Sequence, residues 1–152
     1  MQLVFTKGAG KYDRMEIARG DGAVERIDCP KQGIIPHDMV HYAVESTLEK
    51  RGFLTRVGEG ERADVRMRGE AESDGVERLV EIIQGDAWSG GSNDAAAMLD
   101  LYRVTCNARA CPMLDVEPGD IEAIRTRMAE LTAQWNTLAI GQSLSLCLTR
   151  TS

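Results

Sequence analysis

The only two histidines of the chain stand one helical turn apart in Ile35-Pro36-His37-Asp38-Met39-Val40-His41-Tyr42-Ala43-Val44-Glu45. On a helix, residues at i, i+4 and i+8 fall in one line, so His37, His41 and Glu45 would share a face. Two imidazoles one turn apart can reach the same ion, and a nearby carboxylate can add a ligand or orient a ring. The candidate metal set is therefore His37, His41, Glu45 and Asp38, with zinc or another divalent transition metal as the cofactor it would hold. The segment is not the zinc-protease pattern H-E-x-x-H, because Asp38 stands where the general-base glutamate would be and reaches less far. At 1.5 Å per residue Glu45 lies about 12 Å along the axis from His37. A third strong ligand must then come from elsewhere in the chain. The same pattern also suits histidines that merely pack and hydrogen-bond at a core boundary.

Other candidate motifs are incomplete. Cys106-x4-Cys111 could join the histidines in a two-histidine, two-cysteine zinc site, but the spacing exceeds the usual knuckle and Pro112 follows; loop thiols or a reversible disulfide are the alternatives. Gly8-Ala9-Gly10-Lys11 resembles the end of a phosphate loop, yet Phe5 replaces its first glycine and Tyr12 its Ser/Thr, so a hairpin turn fits better. Gly90-Gly91-Ser92 before a helix could cradle an anion, but Asp86 and Asp94 oppose one. No nucleophile elbow is present.

These residues need elements to position them. The first thirty residues predict a three-stranded β meander over Leu3–Thr6, Tyr12–Arg19 and Ala23–Cys29, with Met15 and Ile17 facing inward. Pro36 opens a helix to about Lys50, ended by Gly52, whose buried stripe is Val40, Ala43, Val44, Thr47 and Leu48. By its phase His37 sits on the shoulder of that stripe, His41 further round and Glu45 nearest to solvent. Tyr42, Met39 and Ser46 lie on another side as a candidate partner surface. Residues 57–74 predict irregular chain with at most a short helix. Asp74-x-x-Glu77 reads as a capping box for a helix ending near Gln84 or Trp88. A further helix spans Asp94 to about Thr105. Ile121, Ile124, Met128, Leu131, Trp135 and Leu138 predict a long amphipathic helix after Pro118, packing in the core in preference to a second copy of the chain. After Gly141, Leu144, Leu146 and Leu148 alternate as a strand expected to join the meander. Cys29 and Cys147 fall in strands, where thiols serve as small buried side chains.

The expected architecture is a single α+β domain over residues 1–152: an antiparallel sheet of about four strands covered by three or four helices. With 43% hydrophobic and 28% charged residues the chain should fold as a globular protein. The net charge of −6 argues against a nucleic-acid partner. No signal peptide or membrane-length apolar run is visible, which makes a cytoplasmic location and reduced cysteines the expectation.

The histidine segment, with Gly52-Phe53 after it and the ending Trp135…Gly141-x-Ser143-Leu144-x-Leu146, resembles uncharacterised bacterial proteins that carry Ile/Leu-Pro-His-Asp-Leu/Met-Val-His-Tyr-x-Val-Glu. It highlights Pro36, His37, Asp38, His41 and Glu45 and implies no particular activity. The expected function is a soluble, non-catalytic interaction or ligand-binding domain, for which a second copy of the chain is one candidate partner. The alternative is a metal-dependent, hydrolase-like enzyme built on His37 and His41.

Overall fold

In the computed structural model, residues 1–61 and 70–149 are described. They form β1 (Gln2–Thr6), β2 (Tyr12–Ala18), β3 (Val24–Pro30), α1 (His37–Leu48), α2 (Phe53–Gly58), α3 (Ala71–Trp88), α4 (Ala95–Ala108), α5 (Pro118–Asn136) and β4 (Ser143–Cys147). Val65 and Met67, the only regularity within 57–74, lie outside the described residues.

The strands pair as one antiparallel sheet in the order β3-β2-β1-β4. β1 is central, with Leu3 opposite Ile17 and Leu146, and Phe5 opposite Met15 and Leu144. Because side chains alternate across a strand, this register places Leu3, Phe5, Met15, Ile17, Cys29 and Leu146 on one buried face. Cys147 falls on the opposite face and is exposed, against the expectation of a buried thiol. The β1–β2 turn is a hairpin: the Gly8 N–H donates to Asp13 Oδ1 at 2.9 Å. A Cβ at Gly8 would lie 2.0 Å from the Tyr12 carbonyl oxygen, so glycine is required by close approach and not by a phosphate.

Among the described residues there are five helices, one more than the upper expectation. α1 is the hub, packing against α2, α3, α5 and β3. Its Met39, Val40, Ala43 and Val44 are fully buried. Tyr42 is buried as well, its hydroxyl donating to the Cys147 carbonyl at 3.2 Å. Met39 and Tyr42 are therefore core rather than partner surface; α5 and the sheet close over a side that a helix considered alone leaves open. Ile121, Ile124, Met128, Leu131 and Trp135 of α5 pack into the same core. No described helix is long and apolar enough to cross a membrane.

The extra helix, α2, covers residues 53–58, of which 53–56 carried no assignment from the sequence and 57–58 open the stretch expected to be irregular with at most a short helix. Six residues cannot sustain a helix by propensity. Glu45 holds it from α1: its carboxylate accepts the backbone N–H groups of Gly52, Leu54 and Thr55 at 3.0–3.1 Å and the Thr55 hydroxyl at 2.8 Å. α2 is then tied toward the start of α3 by Arg56, which donates to Glu61 at 2.8–2.9 Å and pairs with Glu70 at 3.3 Å.

Candidate metal centre

α1 and α3 bring three ligand-type side chains together. One ligand atom from each of His37, His41 and Glu77 lies within 4.8 Å of the other two. His41 Nε2 stands 2.8 Å from Glu77 Oε2, and His37 Nε2 stands 3.5 Å from Glu77 Oε1. The two rings meet edge to face with centroids 4.9 Å apart. Two ligands about 2.0–2.2 Å from a tetrahedral ion are separated by about 3.4 Å. The contact from His37 already has that length, and the one from His41 needs to open by about half an ångström.

The far side of each ring is held, which decides which nitrogen faces the shared point. His41 Nδ1 is 3.1 Å from Glu45 Oε2. As a carboxylate Glu45 only accepts, so Nδ1 carries the proton and Nε2 is the atom offered to Glu77 or to an ion. His37 Nδ1 is 2.9 Å from Gln84 Oε1. The same oxygen accepts from Gln32 Nε2 at 3.0 Å, and that amide also donates to the Ile35 carbonyl at 2.8 Å. The Ile35 carbonyl thereby orients Gln32, Gln32 orients Gln84, and Gln84 places the proton of His37 on Nδ1. Both histidines thus direct Nε2 to Glu77, each backed by an acceptor at Nδ1, the usual support of a metal-binding imidazole.

Exposure differs across the cluster. The His41 side chain is 3% exposed, with Phe53 tilted against its ring at 5.8 Å, whereas those of His37 and Glu77 are about a third exposed. The inner ligand position is dry and the outer edge reaches water. Without an ion, burial opposes charge on His41, but hydrogen bonds and charges from Glu45 and Glu77 outweigh it and push its pKa up to about 10. His37 is raised by its hydrogen bond to Glu77, against burial and the neighbouring His41. Burial would lift Glu77, yet the two histidines hold it well below the usual carboxylate range.

Two residues of the expected set are placed elsewhere. Glu45 is 1% exposed, not the residue nearest solvent, because α2 closes over it. Both of its oxygens are engaged by α2 and His41, so it supports a ligand from behind. Asp38 is buried and accepts from the Cys29 thiol at 3.4 Å on the sheet side of α1. Burial and then Asp38 keep that thiol protonated. Cys106 and Cys111 sit beside Tyr102 at the end of α4; among the described residues, the metal-type group comprises His37, His41 and Glu77 without a thiol. The glycine loop before α4 is closed by protein groups: Arg125 donates to the Gly91 and Asn93 carbonyls, and the Asn93 N–H donates to Asp86.

Glu77 was hidden by a competing local pattern. Asp74-x-x-Glu77 suggests a capping box, but the N-cap is Glu70, four residues earlier, and Asp74 lies inside the first turn of α3. That shift leaves Glu77 nearly two turns into the helix, facing α1. No family model, curated protein or solved structure matches this chain. The function must be argued from the geometry of the site.

Proposed function

We propose that the protein binds one divalent transition ion of the zinc class through His37 Nε2, His41 Nε2 and Glu77, and acts as a metal-dependent, hydrolase-like protein. The observation that carries this reading is the convergence of both Nε2 atoms on one carboxylate, with both Nδ1 atoms held from behind by Glu45 and Gln84. Three protein ligands and a fourth position toward solvent are the arrangement of catalytic rather than structural zinc. A water bound there would have its pKa lowered to about 7 and could attack a carbonyl or phosphoryl centre. Glu45 and Asp38 are occupied by other donors, which leaves metal-bound hydroxide as the nucleophile that needs no separate base.

The test is elemental analysis of protein purified without a histidine tag, with melting followed as Zn²⁺, Mn²⁺, Ni²⁺ or Fe²⁺ is added. One equivalent of metal, or a rise in melting temperature abolished by His37→Ala, supports the reading, since an ion bound only to the folded state must stabilise it. Metal-free protein with no stabilisation by any of the four ions overturns it. In cobalt-loaded protein, a change of the visible bands on adding azide would report the open position.

A second reading, a non-catalytic interaction domain, is favoured by the electrostatics of the cluster itself. A protonated His41 between Glu45 and Glu77 is already satisfied without an ion, as a buried joint between helices. Leu101 and Val104, exposed nearly one turn apart on α4, would then offer the partner contact. This reading expects no metal and full stability in chelator.

A further inference from the structure

The last turn of α4 carries a second chemical feature, independent of the metal reading. Cys106 is buried and Cys111 is partly exposed. Between them Ala110 takes a left-handed conformation at φ 53°, and the Cys111 N–H returns to the Cys106 carbonyl at 3.0 Å. This six-residue reversal is a common helix ending. Here it also brings the two cysteines together across one closed turn, near enough that Cys111 adds to the rise of the Cys106 thiol. The two residues meet across a turn already closed by its own backbone hydrogen bond, so joining their sulfurs needs little backbone movement.

We propose that Cys106 and Cys111 form a reversible dithiol–disulfide pair, oxidised by small-molecule disulfides. The partly exposed Cys111 thiolate attacks the external disulfide, forming a mixed disulfide and releasing one thiolate. Cys106 then loses its proton and attacks the Cys111 sulfur, forming the Cys106–Cys111 bond and releasing the second thiolate. Two electrons pass to the external disulfide and two protons leave the protein. The division of labour follows exposure: a thiol must meet the oxidant first, and the buried one resolves. Burial pushes the Cys106 thiol up to about 11, with Tyr102 and Arg78 opposing the rise. Arg78, whose guanidinium pairs with Glu81 at 3.0 Å and whose buried Nε has no hydrogen-bond partner among the described residues, supplies a cation for the resolving step.

The pair is wired to α3. Tyr102, one turn before Cys106, donates its hydroxyl to the Gly75 carbonyl at 2.8 Å and accepts from the Leu114 N–H at 3.2 Å. Closing the disulfide therefore acts on a residue that fixes the first turns of α3, two residues before Glu77.

The experiment uses the full chain carrying Cys147→Ser, which removes the exposed thiol of β4. Reduced protein is equilibrated with mixtures of oxidised and reduced glutathione, quenched with iodoacetamide and weighed intact. The expected product has lost two hydrogens and, after trypsin, links the peptides 104–109 and 110–125. Cys106→Ser should instead accumulate a stable glutathione adduct on Cys111, and Cys111→Ser should leave Cys106 unmodified. Arg78→Ala should prolong the mixed disulfide severalfold. A persistent adduct on Cys111 while Cys106 remains open to alkylation after unfolding, or pairing of either thiol with Cys29, overturns the proposal.

Discussion

His41 Nε2 and Glu77 Oε2 lie 2.8 Å apart and join the first helix to the third at a point where the imidazole is 3% exposed. A contact this dry cannot be removed from one side without consequence. His41→Ala would leave Glu45 facing an empty space and Glu77 with half its partners. The expected loss is about 3 kcal/mol of unfolding free energy, measured by urea titration in chelator. A loss under about 0.5 kcal/mol, the surface range, would show that the joint carries no load.

His37→Ala separates the two readings of the cluster. Its side chain is about a third exposed, so the stability cost in chelator should be only about 1 kcal/mol. Zinc affinity by calorimetry should nevertheless fall at least tenfold, as it should for Glu77→Gln. Unchanged affinity in both variants would exclude these ligands.

The pH dependence has a definite sign. His41 is raised from an ordinary value of 6.5 to about 10, so its contribution to metal-free stability is complete below about pH 6.5 and is lost as pH rises through about 10. Glu77 is lowered from its ordinary 4.5, so its contribution is present above that value and is lost as pH falls toward its depressed folded value. Metal-free stability from this pair should therefore peak between about pH 4.5 and 6.5. Zinc must displace the protons on Nε2, so its affinity should climb from pH 6 to 9, with proton release visible as a buffer-dependent binding enthalpy.

Gln84→Ala tests the chain from the Ile35 carbonyl through Gln32 to His37. The glutamine touches no ion, yet without it the His37 proton is free to move to Nε2. Zinc affinity should fall by about 10- to 100-fold. Cobalt spectra should change as well, which simple loss of packing would not produce.

Gly52→Ala probes the support of α2. A Cβ there would stand 2.6 Å from Glu45 Cδ and 2.7 Å from Val76 Cγ1, with the Glu45 carboxylate unable to yield because five donors hold it. A cost of about 1–3 kcal/mol is expected in thermal or urea unfolding.

Alternation and helical spacing along the chain determined the meander, the long helix from Pro118, the closing strand and the α+β class, because those signals depend only on which residues share a face. They also brought out His37 and His41 as a pair on one helix. They could not supply the third member. Glu77 is separated from His41 by thirty-six residues and carries a capping signal of its own; only the packing of α3 on α1, with α3 starting at Ala71, turns it toward the rings. The tertiary structure likewise reversed the reading of Glu45. A helical wheel assigns it to water, but the N–H groups at the start of α2 have no acceptor of their own and take its carboxylate, burying it behind His41. Which side chains face one another across helices depends on packing angle and register, and those are set by the whole core rather than by any local run of residues.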